Sequence, residues 1–332
     1  MKLENMWYGG SYKILVFLLL PFSLLFRLLV SLRYFLFRFS ILRTVNLSQP
    51  VIVVGNITVG GTGKTPFVIQ LAEELQNRGY RPGIVSRGVG GKKMQKPCWV
   101  DLQADPAIVG DEALLIVQRT GCPMVTSVDR VSACQELLQK TTCNAIIADD
   151  GLQHYRLGRE IEICIIDGMR QLGNGHMLPA GPLREPISRL KRVDFIVVNG
   201  QKTSFLDEHT ESMELLGNNL FSVKNLKKMS ILDDFKGQKV HAIAGIGNPK
   251  RFFSLLRDHQ IDIIEHTFPD HYLFSAKDLN FSDNLPIIMT EKDAVKCVSF
   301  ADEKYWYLRV DAKISDHLVQ KICQKLELLC GY

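Results

Sequence analysis

A glycine-rich stretch followed by a lysine and a threonine carries the clearest chemistry in this sequence. Gly60, Gly61 and Gly63 are followed directly by Lys64 and Thr65. Glycines allow backbone N–H groups to turn inward around phosphate oxygens, because no Cβ stands in the way. A lysine in this position reaches the β- and γ-phosphates of a nucleotide, and the threonine hydroxyl binds Mg²⁺. The spacing therefore predicts a phosphate-binding loop for a nucleoside triphosphate.

The surroundings of the loop support this interpretation, although one position departs from the common pattern. The apolar run 51–54 predicts a buried strand before the loop, and a helical pattern follows from Pro66 to Gly79. The positive end of that helix points at the same anion. Thr58 stands where G-x-x-x-x-G-K-[ST] has its first glycine. The stretch is close to the x-G-G-x-G-K-T variant of P-loop proteins that resemble partition ATPases, and a glycine-rich turn without function is the alternative.

Two adjacent carboxylates follow the apolar run 145–148, namely Asp149 and Asp150. In nucleotide hydrolases and kinases, an aspartate at the end of a strand near the P-loop holds Mg²⁺ directly or through water. Adjacent residues of a strand point to opposite faces, so the two carboxylates should not do the same job. The alternative is a pair of acids in an ordinary turn at the end of a strand.

Further candidates lie in other loops. Asp111 opens a predicted helix, where an N-cap is its ordinary role, but the loops after parallel strands gather at one edge, so it could lie beside the γ-phosphate. Arg184 and Glu185 lie in a loop between prolines, and an arginine there could clamp phosphate. His271 lies in a proline-containing loop, where an exposed histidine is more often incidental.

Strand and helix patterns alternate from Val51 to about Asn199. The predicted strands are 51–54, 83–85, 124–126, 145–148, 161–166 and 195–198, and the predicted helices are 66–78, 110–119, 130–140 and a short one around 190–192. This alternation predicts a mainly parallel sheet with helices on both faces and ligands at the carboxyl ends of its strands.

A second, smaller α/β unit follows a polar segment at 200–230 that looks like a linker or a β-ribbon. Its predicted strands are 239–244, 261–266, 286–289 and 306–310, and its predicted helices are 251–259 and 315–329. Gly245 and Gly247 lack the third glycine of a dinucleotide fingerprint, so a plain turn is favoured there. The predicted division is an N-terminal segment 1–43, a nucleotide-binding domain 44–200, a linker 201–230 and a second domain 231–332.

Residues 12–43 are apolar and basic. Residues 14–26 carry no charge, and four arginines then recur: Arg27, Arg33, Arg38 and Arg43. Thirteen residues are short for a bilayer span of about 20, although extension back to Gly9 gives a marginal span. An interfacial helix, a cleaved signal peptide and an ordinary buried helix are the alternatives. Because the arginines follow the apolar run, a signal peptide is disfavoured and the positive-inside rule predicts that the rest of the chain is cytoplasmic.

Composition narrows the classes of protein. The chain has 332 residues, 46% of them apolar, which is enough for a large core and suggests two domains. The net charge of +5 is small, and no arginine-rich run interleaved with aromatics occurs outside the N-terminus, so we expect no nucleic-acid partner. Eight cysteines without a C-x-x-C pair indicate reduced cysteines in a cytosolic domain.

Seven stretches occur in a characteristic order: 54–66, 86–88, 110–113, 149–154, 181–186, 268–272 and 290–296. Together with the apolar, basic N-terminus they resemble the tetraacyldisaccharide 4′-kinase family, the lipid A kinases of Gram-negative bacteria, over nearly the whole chain. The resemblance implies an α/β fold: a P-loop NTPase-like parallel-sheet domain, a second, smaller Rossmann-like α/β domain, and an N-terminal membrane-associated helix.

The resemblance also implies the reaction. The γ-phosphate of ATP passes to the 4′-hydroxyl of a tetraacylated glucosamine disaccharide 1-phosphate, forming lipid IVA at the cytoplasmic face of the inner membrane. ATP and Mg²⁺ are the implied cofactors, and the lipid disaccharide and inner-membrane lipids are the implied partners. A sugar hydroxyl is a poor nucleophile, and a carboxylate oriented by a histidine can accept its proton.

Roles follow from the resemblance residue by residue. The family's catalytic Asp–His pair matches Asp111 and His271, which we expect to meet only when the two lobes close over substrate. Asp149, Asp150 and Thr65 are expected to serve Mg²⁺, and Asp150 and Lys64 also the catalytic centre. The positions expected near ATP or substrate are Thr58, Val59, Gly60, Gly61, Thr62, Gly63, Lys64, Thr65, Arg130, Arg184 and Glu185.

Two other classes of function compete with a kinase. One is a membrane-associated P-loop switch ATPase resembling partition or metallochaperone ATPases, and the other is a membrane-bound nucleotide-binding protein without catalysis. A switch ATPase leaves the apolar N-terminus and the loop with Asp270 and His271 unexplained. The guanine-selecting Asn-Lys-x-Asp motif is absent, so a GTPase is not predicted. A kinase should consume ATP only when an acceptor lipid is present.

Overall fold

Two sheets dominate the computed structural model, which describes residues 3–9, 12–92, 96–200 and 210–330. The larger sheet has nine strands in the described ranges, in the order β15-β8-β7-β6-β1-β5-β2-β4-β3. These strands are β1 Val51–Gly55, β2 Pro82–Ser86, β3 Cys98–Trp99, β4 Met124–Thr126, β5 Ala145–Asp149, β6 Ile161–Asp167, β7 Phe195–Asn199, β8 Glu211–Leu216 and β15 Asp311–Ile314. All pairings are parallel except those of the two edge strands, β3 and β15.

The smaller sheet has six strands in the order β10-β9-β14-β13-β11-β12 within the same ranges. They are β9 Asn219–Ser222, β10 Met229–Ile231, β11 Lys239–Ala244, β12 Asp262–Thr267, β13 Ile287–Thr290 and β14 Tyr305–Leu308. The four strands from β14 to β12 are parallel, and β9 and β10 join them antiparallel. The predicted α/β fold class with two sheet domains is confirmed, and we call the two units the first and second lobes.

Helices cover the faces of both sheets. They are α1 Leu3–Tyr8, α2 Lys13–Arg38, α3 Lys64–Asn77, α4 Pro106–Val109, α5 Asp111–Thr120, α6 Arg130–Lys140, α7 Pro249–Asp258, α8 Glu291–Ala294 and α9 Asp316–Cys330, with 3₁₀ turns at Ile187–Arg192 and Leu232–Phe235. Strands β1 and β5 are buried at every position, as expected for apolar runs that are covered on both faces. The carboxyl ends of β1, β2 and β5 therefore meet at one edge of the first lobe.

The sheet topology differs from the predicted domain boundaries at the end of the chain. Strand β15 pairs antiparallel with β8 in the first lobe, and α9 packs its apolar face into the core of that lobe. The segment predicted as a linker or a β-ribbon contributes β8 to the first sheet and the antiparallel pair β9 and β10 to the second, while residues 201–209 lie outside the described residues. The difference arises because strand pairing joins segments that are distant in sequence, which local patterns do not report.

The N-terminal helix α2 is long and apolar enough to cross a membrane, judged by length and composition alone. It is 26 residues long and continues through Pro21. Large apolar side chains are exposed along it, for example Phe17 at 72% and Leu28 at 64%. One stripe packs on the first lobe through Phe26 and Val30. The helix is therefore not an ordinary buried helix, which was one of the alternatives for this segment.

We predict that Ile322→Ala in α9 destabilises the first lobe by about 2–5 kcal/mol, because it leaves a cavity in the core. Ile322 is fully buried against the larger sheet although it lies near the end of the chain. Leu328→Ala is the matched control, since Leu328 is 86% exposed on the same helix. Urea unfolding of both variants measures the difference. Equal stability of the two variants would contradict the packing of α9 on the first lobe.

Candidate active site

The glycine-rich loop lies between the carboxyl end of β1 and the start of α3. Gly60 and Gly63 have positive φ angles of 108° and 95°. A Cβ on Gly63 would stand 2.7 Å from Cε of Met213 and 2.8 Å from Nδ2 of Asn199, so no side chain fits there. The Asn199 amide also donates to the Thr62 carbonyl at 3.1 Å. These contacts hold the loop open toward solvent at the N-terminus of α3, the geometry of an anion site.

Backbone pairing with the loop at 181–186 explains why a threonine occupies the position of the first glycine. Thr58 forms an antiparallel bridge with Leu183. The Val59 N–H donates to Pro182 O at 2.8 Å, and the Arg184 N–H donates to Ile57 O at 2.7 Å. An extended, paired backbone suits a β-branched residue and needs no glycine. The same pairing fixes Arg184 to the rim of the glycine-rich loop.

The two adjacent carboxylates have different surroundings. Asp150 has a positive φ of 48° and turns its carboxylate to Lys64 Nζ at 3.6 Å and to Arg184 Nη1 at 3.3 Å. Burial acts to raise the pKa of Asp150, but the Lys64 and Arg184 charges outweigh burial and lower it. Asp149 ends β5 beside Val54 of β1. Burial raises the pKa of Asp149 to about 7.

Asp149 and Thr65 offer the donor set that Mg²⁺ prefers. The Oδ1 atom of Asp149 is buried and has no hydrogen-bond partner among the described residues. Thr65 is the second residue of α3, directly after Lys64. The described residues hold no group of three or more metal-ligating side chains. This sparse set of oxygen donors fits Mg²⁺, which keeps several waters and takes other ligands from substrate phosphates.

Asp111 and His271 meet across the two lobes. Asp111 is the first residue of α5 in the first lobe, with Gly110 as the N-cap. His271 follows β12 in the second lobe, and its Nδ1 lies 2.9 Å and 3.1 Å from the two carboxylate oxygens of Asp111. The structure has this contact formed, and the expectation that it forms only when the lobes close over substrate stays a prediction. Asp111 is 2% exposed, so the carboxylate is nearly sealed from water.

The pKa values of the pair are shifted in opposite directions. Burial acts to raise the pKa of Asp111, but the hydrogen bond with His271 and the charges of Lys292 and Lys296 outweigh burial and lower it. The hydrogen bond to Asp111 raises the pKa of His271, against the opposing effect of burial. The contact therefore favours an ionised carboxylate beside a protonated imidazole, and the two groups titrate as a unit.

A glycine turn after β2 encloses this pair, and sequence reasoning missed it. Gly90 has a φ of 86°, and a Cβ there would stand 2.6 Å from His271 Nδ1 and 3.1 Å from Asp111 Oδ1. The signal in the sequence was the Gly-Val-Gly-Gly run at 88–91, directly after a predicted strand. Its position at the carboxyl edge of the sheet marks it as part of the cleft.

Charged residues of the segment 290–296 in the second lobe also reach the first lobe. Lys292 Nζ donates to Glu112 at 2.9 Å and to Asp270 at 3.0 Å. Burial acts to lower the pKa of Lys292, but the negative charges of Glu112, Asp111 and Asp270 outweigh burial and raise it. Glu291 pairs with Arg119 at 3.0 Å. The resemblance included this segment without giving its residues a role. Four charged side chains in seven residues, after a buried strand, were the available signal.

The second lobe also covers the glycine-rich loop. A Cβ on Gly247, in the turn before α7, would stand 3.8 Å from the Gly61 backbone nitrogen and 3.5 Å from Asp270 Oδ2. The turn that looked like an incomplete dinucleotide fingerprint therefore faces the phosphate-binding loop. The cleft between the lobes has the glycine-rich loop on one side and the loops with Gly247 and His271 on the other.

Two other predicted residues are buried around the site. Arg130 is 3% exposed and donates to Ser127 O at 2.8 Å. Burial lowers the pKa of Arg130 to about 10, against the opposing charges of Asp149 and Asp150. Glu185 accepts from the Tyr155 hydroxyl at 2.7 Å. Its carboxylate therefore faces away from Lys64, although its neighbour Arg184 belongs to the site.

Comparisons with known proteins find relatives that match nearly the whole chain. The family model described as "Tetraacyldisaccharide-1-P 4'-kinase" matches residues 15–327. The tetraacyldisaccharide 4′-kinase of Nitrosococcus oceani is 48% identical and covers 90% of this chain and 86% of its own length. That of Hahella chejuensis is 45% identical, covering 98% and 96%. The structure of LpxK from Aquifex aeolicus in complex with ATP superposes with a TM-score of 0.80 at 30% identity, covering 94% of this chain and 99% of that one.

We predict that Gly90→Ala displaces the His271 ring and lowers the pKa of His271 toward its ordinary value. The reason is the 2.6 Å approach of the added methyl group to Nδ1, which breaks the hydrogen bond that raises this pKa. NMR titration of the histidine ring protons, with His271→Asn for assignment, measures the change.

Gly121→Ala is the matched control. Gly121 also has a positive φ, 63°, but a Cβ there meets no atom within 4 Å. Both variants carry backbone strain, and only Gly90→Ala touches the pair. If the His271 titration is the same in folded Gly90→Ala and Gly121→Ala, the turn does not position this pair.

Proposed function

This chain belongs to the tetraacyldisaccharide 4′-kinase family, and from that premise we propose the roles of its residues in the reaction. It is an ATP-dependent lipid kinase that transfers the γ-phosphate of ATP to the 4′-hydroxyl of a tetraacylated glucosamine disaccharide 1-phosphate, forming lipid IVA. The switch ATPase considered as the alternative function is set aside by this membership. The contact between Asp111 and His271 at the mouth of the cleft carries the proposed mechanism.

The first lobe binds ATP through the loop from Thr58 to Thr65. Backbone N–H groups of this loop and the N-terminus of α3 receive the β- and γ-phosphates. Lys64 and Arg184 place two cations beside them, and Asp150 aligns both cations through its ion pairs. Arg130, buried behind the two aspartates, adds a fixed positive charge. These charges stabilise the transferring phosphoryl group in the transition state.

Mg²⁺ is the proposed second cofactor, held by the unpartnered Oδ1 of Asp149 and by the Thr65 hydroxyl. When bound, it neutralises charge on the β- and γ-phosphates. This assignment gives the two aspartates separate roles: Asp149 would bind the metal, and Asp150 forms ion pairs with Lys64 and Arg184. Glu185 supports the site indirectly, because its contact with Tyr155 fixes the loop that carries Arg184.

The Asp111–His271 pair activates the sugar hydroxyl. The 4′-oxygen forms a bond to the γ-phosphorus while the bond from the γ-phosphorus to the β–γ bridging oxygen breaks. The hydroxyl proton passes to a carboxylate oxygen of Asp111, which His271 Nδ1 holds in place, and ADP leaves with the bridging oxygen. Because His271, Lys292 and Lys296 keep the carboxylate ionised, it has a free lone pair to accept this proton near neutral pH.

The lipid substrate places the reaction at a membrane, and α2 is the proposed anchor at the cytoplasmic face of the inner membrane. A substrate with four acyl chains stays in the bilayer, so the enzyme must act at its surface. The exposed leucine and phenylalanine side chains of α2 suit the acyl region of a bilayer. The arginines that follow its apolar part suit anionic head groups, and they favour a cytoplasmic position for the lobes.

We predict that Asp111→Ala and His271→Ala each lower kcat by roughly 10²–10⁴-fold while ATP still binds, because the first removes the proton acceptor and the second removes the group that orients it. The double variant should lose little more than the worse single variant, since groups acting as one unit are not additive. The measurement is ATP consumption with and without the lipid disaccharide, together with melting temperatures. Lys64→Ala is the comparison variant for loss of the phosphate site.

The alternative for these two residues is purely structural. It makes Asp111 the start of a helix, worth about 1 kcal/mol of stability, and His271 a surface residue. Small, additive changes in kcat accompanied by a lower melting temperature would remove the pair from the mechanism. ATP consumption that is equal with and without the lipid would instead contradict the proposed acceptor.

We predict that the triple variant Leu18→Glu, Leu25→Glu, Leu28→Glu no longer floats with vesicles of phosphatidylethanolamine and phosphatidylglycerol. The three leucines are 54–64% exposed on α2, so charges there oppose insertion without disturbing the packed stripe. The matched control changes exposed leucines elsewhere, Leu102, Leu226 and Leu328, to glutamate. If the α2 variant and the control float with the vesicles to the same extent, α2 is not the anchor and another surface must bind the membrane.

A further inference from the structure

Lys296 is a buried lysine beside the catalytic pair. Its side chain is 1% exposed, and its Nζ lies 2.8 Å from Asp293 Oδ1 and 3.5 Å from Asp111 Oδ2. The ammonium also lies 5.0 Å from the ring centroid of Phe274. Burying an ammonium costs several kcal/mol unless good partners compensate. The ion therefore stays buried only because the two carboxylates hold it there.

Asp293 fixes this lysine to the second lobe. Its carboxylate accepts from the Gly245 N–H at 2.9 Å and from the Thr290 hydroxyl at 2.6 Å, in addition to Lys296. Asp293 itself is fully buried. The hydrogen bonds therefore fix the orientation of the Asp293 carboxylate, which in turn positions the Lys296 ammonium beside Asp111 of the first lobe.

We propose that Lys296 is a positioning residue for phosphoryl transfer, which fixes the Asp111 carboxylate against His271 and keeps it ionised inside the cleft. This inference rests on the proposed function of the pair as proton acceptor. It explains why the segment 290–296 lies beside the base: the second lobe brings His271 and also a buried cation that contacts Asp111 and, together with Lys292, helps this carboxylate to remain a buried anion.

The neighbouring charges distinguish Lys296 from Lys292. Lys292 Nζ is engaged by Glu112 at 2.9 Å and by Asp270 at 3.0 Å. Lys296 is, among the described residues, the one lysine or arginine within 4 Å of the Asp111 carboxylate. The ionisable groups that surround Asp111 are Glu112 from α5, Asp270 and His271 from the loop after β12, and Lys292, Asp293 and Lys296 from the segment after β13. The glycine turn at 88–91 contributes none.

Lys296→Met removes the charge and keeps an unbranched side chain whose sulfur can rest on the Phe274 ring. Without the cation, Asp111 holds its proton to higher pH, so the acid limb of the kcat–pH profile moves to higher pH. We expect kcat at neutral pH to fall about 10–100-fold, less than when the base is removed. Lys296→Arg keeps the charge and should restore the position of the acid limb.

Arg119→Met is the matched control. Arg119 is also a buried cation that joins α5 to the second lobe, through Glu291 at 3.0 Å, and it has a further ion pair with Asp311 in β15 of the first lobe. It lies at the far end of α5 and does not touch the catalytic pair. Both variants should lower the melting temperature, and only Lys296→Met should move the acid limb. An unmoved limb in folded Lys296→Met, or an equal movement in Arg119→Met, overturns the proposal.

An NMR titration of His271 keeps the proposal testable apart from activity. If Lys296 holds an ionised Asp111 against His271, its removal weakens the hydrogen bond that raises the pKa of His271, so His271 should titrate at lower pH in Lys296→Met than in the natural protein. An unchanged His271 titration overturns the positioning role even if the kinase assay succeeds. Failure of the natural protein to phosphorylate the lipid would instead contradict the proposed function. If Lys296→Met does not fold, the kcat–pH profile and the His271 titration are measured on Lys296→Gln instead.

Discussion

The burial of a single carboxylate, Asp111, is the constraint on which the relation between the two lobes depends. A carboxylate removed from water is costly unless positive charge and hydrogen bonds replace the water. The side chains that provide this compensation, His271, Lys292 and Lys296, belong to the second lobe. The contacts that join the lobes at this point are therefore the same contacts that keep the proposed base ionised. Any change that separates the lobes also returns this carboxylate to water.

Local patterns in the sequence predicted the glycine-rich loop and the parallel strands β1, β2, β4, β5, β6, β7 and β11 to β14. They did not predict β3 or β15, and they left the segment with β8, β9 and β10 open as a linker or a β-ribbon. A buried strand, three glycines and a Lys-Thr pair lie within fifteen residues, so the signal for the phosphate site is contiguous. The predicted helix 130–140 has the bounds of α6. Such features depend on neighbours in sequence, which is why single-sequence reasoning reaches them.

The rest of the site depends on tertiary contacts. Asp111 and His271 are separated by 160 positions, and only the family resemblance linked them before the structure did. Gly90 and Lys296 gave only weak signals, a glycine run after a strand and a charged segment, because both kinds of pattern are common in turns and on surfaces. Their importance comes from their neighbours in space. A Cβ on Gly90 would stand 2.6 Å from the His271 ring, and the Lys296 ammonium lies 3.5 Å from the Asp111 carboxylate. The return of β15 and α9 to the first sheet was hidden for the same reason.

That return gives the second lobe a particular attachment. The chain leaves the first sheet at Leu216 in β8 and re-enters it at Asp311 in β15, and these two residues are register partners. The lobe between them thus has the form of an inserted domain whose two ends are adjacent. Because both connections leave the first sheet side by side, His271 and Lys296 are carried by the same inserted body. A displacement of that body relative to the first sheet would therefore separate both side chains from Asp111 at the same time.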